Sequence, residues 1–323
     1  MKNIFIKKLI FILIIFPCFI FTGTNDVNAA PKYSSFSLDA RSGEIVHNNK
    51  GFQKRYPASL TKVMTLYLIF EDINNNKIKK SDLITFSRNA SSKPASKLGL
   101  STGETISFSN AIKALAIKSA NDVATAVAEH ISGSEKQFAL KMTEKARELG
   151  MYSTTFKNAS GLHDNYQTTT AYDMAILGLR MIKDYPEESK VFSIKEFSYE
   201  GKKYSSHNRL LYTYNGAKGI KTGFTSMSGF NLLTYVTRSN KQLISVVMGG
   251  STSNSRNSNM AKVLDLSLKK TGGNIPYPIM NPYSVSDLKN QKIDYSLNHK
   301  QSISSSKYDI LSNRVNKFLA ILP

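Results

Sequence analysis

A serine and a lysine stand three residues apart in Ser59-Leu60-Thr61-Lys62, and such a pair can carry out acyl transfer. On a helix, residues i and i+3 share a face, so the amine can reach the hydroxyl. A serine needs a base before it attacks a carbonyl, and a lysine serves when its amine is neutral. Burial and a neighbouring cation both lower a lysine's pKa, so a site of this kind calls for a second positive group. Alone, the pattern is weak, because it recurs at Ser267/Lys270, Ser286/Lys289 and Ser304/Lys307. Ser59 differs by context: it follows Pro57-Ala58 at the start of an apolar helical segment, where first-turn N–H groups are unpaired and can bind an oxyanion.

Two other patterns supply polar partners. Ser-x-Asn occurs at Ser119/Asn121, Ser206/Asn208, Ser255/Asn257 and Ser296/Asn298. Lys-Thr-Gly occurs at Lys221-Thr222-Gly223 and again at Lys270-Thr271-Gly272. The second copy reads as a helix C-terminus, with a basic last turn and glycines that stop it. The first ends a strand-like stretch, where Gly223 lets a substrate lie close along the edge.

The elements that must position these residues follow from periodicity. Residues 33–40 alternate, and a turn containing Gly43 leads to Ile45-Val46-His47, which predicts a hairpin. Leu60 to Ile73 has apolar residues at helical spacing. Helices are predicted over 109–118, 122–130, 134–149 closed by Gly150, and 171–183 capped by Thr170, with Ser119-Ala120-Asn121 as a break rich in capping residues. Extended segments follow at 195–200, 202–205, 219–224, 230–238 and 242–248, then a closing helix over 259–270. Strands at both ends with helices between predict an α/β (α+β) fold: one antiparallel sheet whose ends meet, flanked by helices and interrupted by a helical block.

Composition narrows the setting. Of 323 residues, 41% are hydrophobic and 20% charged, so a packed core is within reach and wholesale disorder is excluded. Lys2, Lys7 and Lys8 precede an apolar run from Leu9 to Phe21, and small residues follow at Val27-Asn28-Ala29, so residues 1–29 read as a secretory signal peptide. Its alternative is an uncleaved anchor. The lone cysteine, Cys18, falls inside it, which rules out a disulfide framework. Removing 1–29 lowers the formal charge from +20 to +18. An exported basic protein meets anionic envelope polymers and lipids rather than nucleic acid. One globular domain is expected over 30–272 and a linker with a tail over 273–323. Leu311, Val315, Phe318, Leu319 and Leu322 share one face of that tail, which suits an anionic membrane surface; a packed helix or a disordered end is the alternative.

The ordered set Ser59-x-x-Lys62, Ser119-x-Asn121, Lys221-Thr222-Gly223 is stronger than any one motif. With it come Leu38-Asp39-Ala40, residues 56–65, Asn158-Ala-Ser-Gly-Leu162, residues 168–173, Gly219-Ile-Lys-Thr-Gly-Phe-Thr225 and Gly229-Phe-Asn-Leu232. Over residues 32–270 the chain closely resembles the D-alanyl-D-alanine carboxypeptidases of the low-molecular-mass penicillin-binding proteins, serine peptidase family S11. The resemblance implies a β-lactamase/penicillin-binding-protein-like fold. It implies a substrate ending in D-Ala-D-Ala, the peptidoglycan stem peptide, and covalent binding of β-lactam antibiotics.

By that resemblance Ser59 is the nucleophile and Lys62 its base. Ser119 relays a proton to the leaving amine, and Asn121 bonds either substrate amide or Lys62. Lys221 and Thr222 bind the terminal carboxylate, with Gly223 beside them, and the N–H groups of Ser59 and Phe224 form the oxyanion hole. Arg256 matches in register an arginine that supports the carboxylate site; its alternative is a solvated loop arginine. No cofactor is implied. The histidines His47, His130, His163, His207 and His299 lack zinc-ligand spacing, and no metal is expected. A β-lactamase is disfavoured by Ala120 between Ser119 and Asn121 and by the absence of Glu from residues 150–170. A D,D-endopeptidase and a catalytically silent wall-binding protein stay open as alternatives.

Overall fold

Alternation gives the first strand, β1 (Ser34–Asp39), and a turn with Gly43 at φ +78° returns the chain as β2 (Ile45–Asn49). The structure is a computed structural model and describes residues 32–271. A single 3₁₀ turn, Ala58–Leu60, runs straight into α1 (Thr61–Asn74), whose residues from Thr61 to Phe70 are all buried. A small ribbon follows, β3 (Leu83–Thr85) paired with β4 (Thr105–Ser107), and between them lies α2 (Arg88–Ser91). The helical block continues with α3 (Phe108–Lys113), α4 (Asn121–Ser132), α5 (Glu135–Glu148) and α6 (Ala171–Asp184). A hairpin of β5 (Glu196–Tyr199) and β6 (Lys202–Ser205) leads through the one-turn α7 (Leu210–Thr213) to three long strands. These are β7 (Ala217–Thr225), β8 (Gly229–Arg238) and β9 (Lys241–Gly250), and α8 (Ser253–Lys270) comes last.

The main sheet has five antiparallel strands in the order β2-β1-β9-β8-β7. The two ends of the described chain therefore meet in its centre, with Phe36 opposite Val246 and Ser37 Oγ bonded to Ser245 Oγ at 2.6 Å. Side-chain alternation splits the core in two. Val46, Leu232, Val236, Leu243 and Val247 face Met260, Val263, Leu264 and Leu268 of α8. Phe36, Leu38, Leu233, Ile244, Val246 and Met248 belong to the larger core shared with α1, α6 and the helical block. β7 is one of the two edge strands, and it runs beside the turn that carries Ser59.

The expected architecture is the observed one, with four local differences. The helix read over 109–118 ends as a π turn, Ala114–Lys118. The break at 119–121 is not closed by a capping side chain: Ala120 holds the N-cap position, and Ser119 is left-handed at φ +61°. The last helix begins at Ser253 rather than Asn259, because Thr252 and Ser255 cap each other's backbone N–H reciprocally. The β3–β4 ribbon was not expected. The signal segment 1–29 and the tail 273–323 lie outside the described residues. Among the described residues no helix is long and apolar enough to cross a membrane.

Candidate active site

Two close backbone approaches build the site around Ser59. Gly223 in β7 passes so near that a Cβ there would sit 2.9 Å from Ser59 N and 3.2 Å from the Ala58 Cβ. From the other side, Gly161, at φ +85°, would place a Cβ 1.9 Å from the Ala58 carbonyl oxygen and 2.9 Å from Ser59 N. Both positions are open to glycine alone. Ala58 itself is left-handed, at φ +48°, a strained choice for a residue with a side chain. Ser59 stands ahead of the first hydrogen bond of its turn, Leu60 N–H to Pro57 O, so its own N–H points out of the turn's ladder.

Asn231 of β8 locks the chain before the nucleophile. Its Nδ2 donates to Tyr56 O at 2.9 Å and Pro57 O at 3.1 Å, and its Oδ1 accepts from Gly249 N–H at 3.0 Å. Asn231 lies in the run Gly229-Phe-Asn-Leu232, where its residue type alone gives no sign of this role.

Lys62 is completely buried one helical turn after Ser59. Its Nζ donates to Asn121 Oδ1 at 2.6 Å and to the Ser160 carbonyl at 2.6 Å, and lies 3.3 Å from Ser59 Oγ. A neutral amine has two N–H bonds and one lone pair. The two short bonds take the N–H groups, and the lone pair is left for the serine hydroxyl. Burial pushes Lys62 well below the ordinary lysine range, Lys221 pushes it the same way, and Asp122 and Glu135 oppose. Asn121 is oriented in turn, since its Nδ2 donates to Pro94 O at 3.0 Å and its N–H to Ser96 O at 2.7 Å. Of the two roles open to Asn121, the bond to Lys62 is the one present. The Ser160 carbonyl, a backbone group, was invisible to motif reading.

Ser119 Oγ is buried without a hydrogen-bond partner among the described residues. Burying an unpaired hydroxyl costs about 1–3 kcal/mol, which marks a group kept for another purpose.

The remaining predicted residues form a positive wall. Lys221, 2% exposed, donates to the Thr222 carbonyl at 3.1 Å, and burial and then Arg256 push it down to about 7. Arg256 is not a loop residue but sits in the first turn of α8, 3% exposed. Its Nη1 donates to Asn231 O at 3.0 Å and its Nε to Asn257 Oδ1 at 2.8 Å, which leaves Nη2 for another acceptor. His207, exposed as a residue, is nonetheless pushed down to about 4 by partial burial of its ring and by Lys221, Lys118, Lys62 and Arg256. So many converging cations make an anion site. Thr222 is buried beside them, and Phe224, 53% exposed, stacks on Phe230 with ring centroids 4.2 Å apart. His163 is exposed and bonds Asn165.

The chain is also similar to known proteins. The family model described as D-alanyl-D-alanine carboxypeptidase matches residues 25–252. The chain is 36% identical over 241 residues to D-alanyl-D-alanine carboxypeptidase DacF of Bacillus subtilis, covering 73% of this chain and 62% of that one. It is also 36% identical over 234 residues to DacC of Escherichia coli, covering 70% and 58%. The chain thus spans about three-fifths of the length of these curated relatives. Among solved structures, penicillin-binding protein 5 from Haemophilus influenzae superposes with a TM-score of 0.70 at 35% identity, covering 74% of this chain and 72% of that one. Penicillin-binding protein D2 from Listeria monocytogenes, in a cefotaxime-bound form, superposes with a TM-score of 0.68 at 28% identity, covering 73% and 96%. With the motifs in order, the sheet edge set against the serine and the relatives in accord, this chain belongs to the peptidase S11 family of D-alanyl-D-alanine carboxypeptidases.

Proposed function

We propose that the protein is a serine-type D-Ala-D-Ala carboxypeptidase, removing the terminal D-Ala from peptidoglycan stem peptides and binding β-lactams covalently. The observation that carries this reading is the bonding of Lys62, whose two N–H groups are committed to Asn121 and Ser160 while its nitrogen faces Ser59 Oγ. Lys62 takes the hydroxyl proton as Oγ bonds to the carbonyl carbon of the penultimate D-Ala. The Ser59 and Phe224 N–H groups stabilise the oxyanion, and each such donor lowers the barrier by about 3–4 kcal/mol. The C–N bond then breaks. The leaving amine takes back the proton, relayed through Ser119, and D-Ala departs. Water hydrolyses the ester and restores Ser59. Lys221, Thr222 and Arg256 hold the terminal carboxylate until D-Ala departs. Mass spectrometry of muropeptides incubated with the purified protein tests this. Pentapeptides that lose one alanine support it, whereas cross-linked dimers cut to monomers with no alanine released would make the enzyme an endopeptidase.

The carboxylate role separates the two Lys-Thr-Gly copies. Lys270 is exposed in the last turn of α8, whereas Lys221 is buried beside Lys62 and Arg256. Lys221→Ala should lower kcat/KM for a D-Ala-D-Ala peptide by about a hundredfold, as loss of a buried charge partner does. Lys270→Ala should leave it unchanged. Equal losses in folded proteins would assign the wrong strand.

Residues 1–29 as a signal peptide would place the enzyme outside the cytoplasmic membrane, among anionic envelope polymers. The amphipathic end would hold it reversibly to anionic lipid, with Arg314 and Lys317 at the headgroups. Deleting 308–323 should release the protein from anionic vesicles in a flotation assay and spare activity on a small peptide. Identical partitioning of the full and truncated chains would refute the anchor.

A further inference from the structure

Glu135 opens α5 with its carboxylate turned inward, and no step of the reaction above uses it. The side chain is 13% exposed. Its Oε2 lies 2.8 Å from Lys93 Nζ, and its Oε1 accepts from Ala159 N–H and Thr125 Oγ1, each at 3.1 Å. Two loops distant in sequence therefore meet on one carboxylate.

The first loop, 93–99, aims Asn121. Pro94 and Ser96 lend their carbonyls to the Asn121 side chain and N–H. Its far end is tied down by buried Asp122, whose carboxylate accepts from Leu98 N–H at 3.1 Å and Gly99 N–H at 2.8 Å. The second loop, 158–161, carries the Ser160 carbonyl; the neighbouring Ala159 carbonyl accepts from Thr65 Oγ1 of α1 at 2.7 Å. One loop thus orients Asn121 Oδ1, the other supplies Ser160 O, and these are the two acceptors of Lys62.

We propose that Glu135 is a positioning residue for the catalytic amine: by joining Lys93 to Ala159 it fixes the separation of Asn121 Oδ1 and Ser160 O, and so aims the lone pair of Lys62 at Ser59. The inference rests on the reading of Ser59 and Lys62 as nucleophile and base. A hydrogen-bonded amine has little tolerance here, since a misplacement of about 1 Å in a reacting pair can cost about a hundredfold in rate. The charge matters as well as the geometry. Lys62 feels Lys221 on one side and the carboxylates of Asp122 and Glu135 on the other. Losing the Glu135 charge favours the neutral amine, and losing the Lys93 charge leaves a bare carboxylate that disfavours it.

Two variants test this with opposite signs. Glu135→Gln can still accept from Ala159 N–H, but its amide cannot hold the Lys93 ammonium. Lys93→Met keeps the carboxylate and releases the loop. The measurement is the second-order rate of acylation by a fluorescent penicillin across pH, with melting temperature as the check on folding. Both variants should lose about 10- to 100-fold at the plateau. The acid limb should move to lower pH in Glu135→Gln and to higher pH in Lys93→Met. Wild-type plateau rates with an unmoved acid limb in either folded variant would overturn the inference alone and leave Glu135 a scaffold carboxylate; if Glu135→Gln does not fold, Lys93→Met decides. A wild-type protein that penicillin does not label would overturn the reading of the site and this inference with it.

Discussion

Ser59→Ala should fold normally, release no D-alanine and form no adduct with penicillin. Its hydroxyl lies 3.3 Å from Lys62 Nζ. The fold should not suffer, because Ser59 is half-buried and its turn is held through Asn231, Gly161 and Gly223 rather than through Oγ. In serine hydrolases, removal of the nucleophile costs on the order of a millionfold in kcat. The rival is Ser119, whose buried Oγ has no partner. Peptide mapping of the wild-type adduct separates them: a label on Ser119 or any other serine would sink the assignment.

Lys62→Arg keeps the charge and should lose about a thousandfold or more, a general base being worth roughly 10²–10⁴. A guanidinium stays protonated at any usable pH and has no lone pair to offer. In the wild type the sign of the pH dependence follows from two lysines with opposite requirements. Lys62 must be neutral, so kcat/KM rises as pH climbs through its lowered pKa. Lys221 must be charged to hold a carboxylate, so kcat/KM falls again above about 7. A bound carboxylate raises the Lys221 pKa, so the alkaline limb of kcat should lie higher than that of kcat/KM. Near-wild-type turnover by folded Lys62→Arg would reduce Lys62 to an electrostatic role.

Much of this was legible because the chemistry sits in short runs. The Ser59/Lys62 spacing already placed an amine one turn from a hydroxyl, and the strand-like stretch ending in Lys221-Thr222-Gly223 already set a lysine beside a glycine that admits close approach. What was not legible depends on contacts distant in sequence or on the backbone. The Ser160 carbonyl bonds Lys62 across 98 residues, and Asn231 holds Pro57 across 174. A carbonyl leaves no signature in residue types. Arg256 was placed one element too early because the Thr252/Ser255 capping box went unread and the helix start was set six residues late. The π turn before Ser119 has no compositional mark either, and it is this turn that sets Ser119 in its left-handed pose.

The order of the sheet also dictates an order of assembly. β1 is complete within the first few residues of the described chain, yet its partner β9 is the last strand to be made. Pairing Ser35 with Val247 closes a loop of about two hundred residues, and non-local pairing of that kind is slow because loop-closure entropy must be met before the contacts form. A chain made N-terminus first therefore carries β1 and β2 as a hairpin, with β1 short of its inner partner, until residue 250 arrives. Until then β7 and β8 have no central sheet to join, Gly223 has nothing to hold it against Ser59, and the nucleophile's turn has no wall. The wall beside the Ser59 turn is thus completed only with the final strand of the sheet.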